Sequence, residues 1–81
     1  MKSEDLNFKV ACEAMLKNSS KETSVNYSDA SKELLIKMME DFISLKFDVD
    51  KLLEQHGVAA GSGKEKIVRS AAKHFKKAYQ S

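Results

Sequence analysis

The feature that most constrains this chain is a stretch of about 29 residues, 28–56, with neither proline nor glycine and an apolar side along its whole length. On a wheel of about 100° per residue, Leu34, Leu35, Met38, Met39, Phe42, Leu45, Val49, Leu52 and Leu53 fall on one broad stripe, and Ile36, Ile43 and Phe47 form a second. Glu33, Lys37, Glu40, Asp41, Asp48 and Lys51 occupy the remaining face, with Glu33 and Lys37 in the favourable i, i+4 order. Gly57 then supplies a residue suited to the left-handed turn that ends a helix. The spacing predicts one helix over 28–56.

Such a helix is about 44 Å long. A globule of 81 residues has a radius of gyration near about 12 Å and a diameter of roughly 30 Å, so the helix would protrude. Two shorter helices cannot cover both stripes, and uncovered apolar stripes call for a second chain. Leu35, Met38, Met39, Phe42, Leu45, Val49, Leu52 and Leu53 are the expected dimer interface, with Lys46 either running its stem along the seam or, the favoured reading, meeting an acid on the partner. The alternative is a break in which Asp48 caps a separate helix from Val49, folding the chain into a closed four-helix bundle.

The rest of the chain reads as helix as well, because it has no proline and few β-branched residues. Leu6, Val10, Ala14 and Leu16 recur at helical spacing over 5–17, with Ser3 available as a cap. Residues 18–24 are polar and turn-rich, residues 25–27 suit a short extended piece, and Asn26 or Ser28 can cap the following helix. Ser62 and Glu65 form a capping box that opens a last helix over 64–79. Its seam is Val68, Ala72, Phe75 and Tyr79, flanked by Ile67, Ala71 and Ala78. The expected fold is all-α: a single domain over 1–81 with a short–long–short layout of helices, completed by dimerisation.

Charge is unevenly placed. Residues 57–81 carry five lysines and one arginine against one acid, while residues 27–56 carry four lysines against seven acids. On the last helix Lys66, Arg69, Lys73, Lys76 and Lys77 gather opposite the apolar seam and are candidate contacts for DNA phosphates, or else a solvated face. No aromatic residue alternates with them, which argues against stacking on single strands.

Catalytic and metal chemistry finds no constellation here. Gly61-Ser62-Gly63-Lys64 lacks the Ser or Thr after the lysine that would hold magnesium, and Val58 stands where a phosphate loop needs its first glycine. His56 and His74 are far apart and read as helix-terminal and helix-boundary residues, and Asp48-Val49-Asp50 splits its carboxylates between helix faces. The lone Cys12 excludes an internal disulfide and reads as a small buried apolar group. The expectation is a non-enzymatic protein without metal, cofactor or small-molecule substrate. The charged start of the chain, with no apolar run of signal or membrane-span length, predicts no membrane partner and an intracellular location.

Val25 to Ala30, V-N-Y-S-D-A, resembles the junction between the first loop and the central helix of the histone-fold family, both archaeal histones and histone-fold subunits of transcription and centromere complexes. In that family a valine or isoleucine precedes a Ser-Asp-x-Ala start. Leu35, Leu53 and His56-Gly57 fall where those proteins carry a leucine, a leucine and a His-Ala-Gly, and Met15-Leu16-Lys17-Asn18 is similar to the end of their first helix. The resemblance covers roughly residues 15–57. It implies a histone-fold subunit that pairs with a second histone-fold chain, or with itself, through the central helix. The pair would join a chromatin, transcription or centromere complex, nuclear in a eukaryote, with double-stranded DNA as a further partner. The arginine–threonine loop and the paired aspartate of DNA-packaging histones are absent from Val58-Ala59-Ala60-Gly61-Ser62 and the start of the last helix, which removes the clamp that DNA wrapping uses. A small helical regulatory or adaptor protein of bacterial or viral type, acting as a homodimer or peptide binder, is the alternative function.

Overall fold

Where the long helix was expected, the chain turns a corner. The computed structural model describes residues 3–80, with side chains described over 8–78, and it contains four helices: α1 (Ser3–Thr23), α2 (Asp29–Ser44), α3 (Val49–Gln55) and α4 (Gly63–Gln80). Ser3 as a cap and the side chains of Leu6 and Tyr79 lie outside the described side chains.

The corner at 45–48 is built from a helix-terminating motif that normally uses glycine. Leu45 is the C-cap of α2; the Lys46 N–H donates to the Ile43 carbonyl at 3.0 Å, and the Phe47 N–H reaches back five residues to the Phe42 carbonyl, also at 3.0 Å. These two bonds are the Schellman pattern, which places the first residue after the cap in the left-handed region and packs the second against the helix's last turn. Lys46 takes φ 56° and Phe47 φ 63°. The packing contact is present too: the Phe47 ring meets Phe42 edge-on, 5.4 Å between centroids. Asp48 then caps α3, its carboxylate accepting from the Lys51 N–H at 3.1 Å. The helix over 28–56 is therefore two helices, because burial of the Phe47 ring offsets the left-handed strain of two non-glycine residues.

The same motif ends α3 with the expected residue in place. Gly57, at φ 63°, donates to the Glu54 carbonyl, and the Val58 N–H donates to the Leu53 carbonyl at 3.0 Å. Here the left-handed position falls on glycine, which adopts it without a Cβ clash.

At the other end of α2 the Ser28 hydroxyl accepts from the Ser31 N–H at 3.2 Å, as the sequence indicates. Ahead of α4 the Ser62 cap forms, its Oγ accepting from the Glu65 N–H at 3.1 Å, while Glu65 Oε1 reaches one residue past the cap and accepts from the Gly61 N–H at 2.9 Å. The turn-rich loop expected over 18–24 is instead the end of α1, which runs through Thr23. The Thr23 hydroxyl bonds back to the Ser19 carbonyl at 2.6 Å, and Ser20 Oγ donates to the Val25 carbonyl at 2.7 Å, so these hydroxyls fasten the last turn of α1 to the chain that leaves it.

The corner allows the chain to cover most of its own stripes, although Leu34 of the first and Ile43 of the second stay exposed. α4 lies chiefly along α1 and touches α2 and α3, and Phe75 gathers Phe8 at 5.8 Å, Phe42 at 6.1 Å and Phe47 at 6.5 Å. Leu35, Met38, Met39, Phe42, Leu52 and Leu53, expected at a dimer interface, are buried within the single chain; Leu45 and Val49 are half-buried against the same core. Lys46, expected inside the stripe facing a partner's acid, is exposed on the corner. The radius of gyration is 11.8 Å, close to the about 12 Å of a closed globule of this length.

The two Schellman corners predict opposite responses. Gly57→Ala should destabilise the fold by about 1 kcal/mol, whereas Lys46→Gly should be neutral to stabilising by up to about 1 kcal/mol, both read by chemical denaturation. A loss of stability in Lys46→Gly as large as in Gly57→Ala would contradict the left-handed corner at 45–48.

Candidate functional site

α4 owes its two-sidedness to the spacing of its small and apolar residues. Ile67, Val68, Ala71, Ala72 and Phe75 are buried against the rest of the chain, which sends Lys66, Arg69, Lys73, Lys76 and Lys77 outward. All five are exposed, so the side-chain cluster expected for DNA contact is one continuous basic face about 16 Å long at the helical rise.

The structure adds two acids, Asp50 and Glu22, that a one-dimensional reading does not bring there, beside Glu65 on α4 itself. Arg69 donates to Asp50 of α3 at 3.1 Å and lies 3.5 Å from Glu65 one turn earlier. Glu22, at the end of α1, receives His74 Nε2 at 2.8 Å and Lys73 Nζ at 3.5 Å. The hydrogen bond from His74, then the charge of Lys73, hold the Glu22 carboxyl below its ordinary value of 4.5. That coupling favours the folded state above the ordinary carboxyl range and is lost as the pH falls through the lowered value. Asp50 and Glu65 likewise hold the Arg69 guanidinium in its charged form, with Asp50 the larger influence. Lys66, Lys76 and Lys77 have no ion-pair partner among the described residues.

Beside this face runs a groove that the sequence did not announce. Phe42, Phe47, Val49 and Ala72 form its apolar floor, Arg69, Lys73 and Lys76 its cationic rim, and its volume is about 230 Å³. Its parts come from α2, the corner, α3 and α4, so it exists only because the chain turns at 45–48. A second hollow of about 250 Å³ lies between the 25–27 segment and the start of α4, where Tyr27, Leu35 and Ile67 meet Lys64.

The other residues weighed from the sequence have structural duties. Glu65 occupies the Gly61 N–H, so the glycine-rich turn before α4 does not offer that amide to a phosphate. His56 Nε2 lies 2.9 Å from Asp41 Oδ2, tying the end of α3 to the last turns of α2. Asp48 is a helix cap and Asp50 an arginine partner. Among the described residues no group of three His, Cys, Asp or Glu side chains is placed to hold a metal ion, and no helix is long and apolar enough to cross a membrane. Compared with known proteins, the chain matches no family model, no curated protein and no solved structure.

Cys12 is fully enclosed in the core, and burial, with a smaller contribution from the charge of Glu40, pushes its thiol up from an ordinary 9.0 to about 11. A thiol raised on folding favours the native state fully below its ordinary value, and that contribution fades as the pH rises from about 9 toward about 11. Cys12→Ala should therefore cost stability at pH 7 and cost less by up to about 2 kcal/mol at pH 10.5, as measured by urea unfolding. An equal cost at both pH values would contradict the burial of the thiol.

Proposed function

We propose that this chain is a non-enzymatic binding module that captures an acidic, amphipathic segment of a partner protein in the groove beside α4. One observation carries the reading: a shallow hollow in which Phe47 and Val49, backed by the buried Phe42 and Ala72, offer apolar surface beside Arg69, Lys73 and Lys76. A leucine or phenylalanine of the partner is desolvated on that floor, while neighbouring carboxylates meet the rim cations. Lys76, with no ion-pair partner among the described residues, is the rim charge most available to them. A bare phosphate backbone has no group to place on the floor, and Glu22, Asp50 and Glu65 stand beside two of the five cations of the face.

A second reading is a histone-fold subunit in a DNA-associated chromatin, transcription or centromere complex. It is favoured by the junction at 25–30, where an irregular segment over 25–28 enters α2 through the Ser28 cap, at the place where V-N-Y-S-D-A resembles that family. It requires residues 28–56 to form one helix against a second histone-fold chain, with Lys66, Arg69, Lys73, Lys76 and Lys77 turned toward DNA.

The two readings separate in one binding experiment. A fluorescent acidic helical peptide bearing leucine and phenylalanine anchors should bind the chain with 1:1 stoichiometry. Lys76→Glu, an exposed change, should weaken that binding by about tenfold, and Val49→Asp should do the same from the floor. Lack of peptide binding, or binding indifferent to both substitutions, contradicts the groove. Binding of a random duplex instead, with a log–log salt slope that drops by about 0.9 for each lysine removed from α4, would favour the second reading.

A further inference from the structure

We infer that the chain exchanges α3 and α4 with a second copy of itself by straightening residues 45–48 into helix. The inference is independent of the groove reading.

The corner is a hinge whose sequence prefers the straight form. Leu45-Lys46-Phe47-Asp48 contains no glycine or proline, and the apolar spacing of α2 continues through it into α3. In the closed chain Lys46 and Phe47 both sit at positive φ, the first of them at the position that glycine fills at the end of α3. Straightening the hinge releases both residues from the left-handed region and joins α2 to α3 in one helix about 40 Å long. Short hinges held in strain are the segments through which identical chains swap elements.

Almost everything that holds α3 and α4 in place is reproduced when a second copy supplies the other side. The Asp41–His56 bond, the Phe42–Phe75 and Phe8–Phe75 contacts and the Glu22 pairs with Lys73 and His74 all join the exchanged arm to α1 or α2, and each re-forms between copies. The Arg69–Asp50 pair lies inside the arm and travels with it. The closed form alone has the Phe47 ring folded on Phe42 and Phe75, the backbone bonds of the corner and the Asp48 cap of α3. These features oppose the strain of the hinge, so the closed monomer prevails in dilute solution and the exchanged dimer at high concentration.

The hinge gives two exposed positions with opposite expected effects. Lys46→Gly favours the corner and disfavours the straight helix, so it should lower the association constant by about tenfold or more. Asp48→Ala removes a cap present only in the closed form and should raise that constant by about fivefold or more. The protein would be unfolded in denaturant, refolded at millimolar and at micromolar concentration, and its mass measured by sedimentation equilibrium. Dimer should form on concentrated refolding and persist for hours after dilution, because separation requires the arms to leave their new partners. Its amount should rank Asp48→Ala above the unsubstituted chain and the unsubstituted chain above Lys46→Gly. Monomer throughout, dimer that dissociates at once on dilution, or the reverse ranking would overturn the exchange.

Discussion

Burial of the Phe47 ring against Phe42 and Phe75 decides which of two architectures this chain adopts. Along the backbone, 45–48 carries no helix breaker, and a helix running straight through would leave the stripes of α2 and α3 facing outward. Folded back, Phe47 completes the contact that a Schellman ending makes with the last turn of its helix, and its ring joins the cluster gathered round Phe75. Two left-handed residues without glycine cost roughly 2–4 kcal/mol together. Partial burial of the Phe47 ring, together with burial of the stripe residues behind it, is of the same order or larger. The corner stands on that balance.

What the corner does for the surface follows from the same geometry. Turning α3 back toward α4 brings Asp50 to Arg69 and sets Val49 and Phe47 beside Ala72. The basic face of α4 thereby acquires an apolar neighbour and an acid, Asp50, beside Arg69, in addition to Glu65 of α4 itself and Glu22 of α1. An extended basic helix would present only cations; this one presents cations over a hydrophobic floor. That difference moves the favoured partner from a phosphate backbone toward an acidic segment with apolar anchors.

The local grammar of the chain was largely legible. The Ser28 and Ser62 caps, the Gly57 ending and the inward seam of α4 all rest on short-range rules, and each is formed by the residues that signalled it. The apolar set Leu35 to Leu53 reads from the sequence as a surface for a second chain; within the single chain Leu35, Met38, Met39, Phe42, Leu52 and Leu53 are buried and Leu45 and Val49 half-buried. The break before Val49, which the sequence offers as the alternative to one long helix, is the form the chain takes; it is not the favoured reading because Lys46 occupies the position where glycine marks the identical motif at Gly57, and the force that drives the turn is a long-range aromatic contact with Phe75. Asp48 carried the only local sign, as a cap. The groove was illegible for the same reason: its floor and rim come from elements that only the corner brings together. The end of α1 was missed through its serines and threonine, whose hydroxyls hold the final turn where composition alone indicates a loop.

The most direct measurement of this account is a set of backbone carbon chemical shifts for the monomer at micromolar concentration, read residue by residue from Asp29 to Gln55. Helical shifts should run through Ser44 and resume at Val49, with Lys46 and Phe47 displaced in the sense of left-handed backbone and the Phe47 ring protons shifted by the rings of Phe42 and Phe75. Unbroken helical shifts across 45–48 in a chain that remains monomeric would contradict the corner, and with it the closed core and the groove built on it.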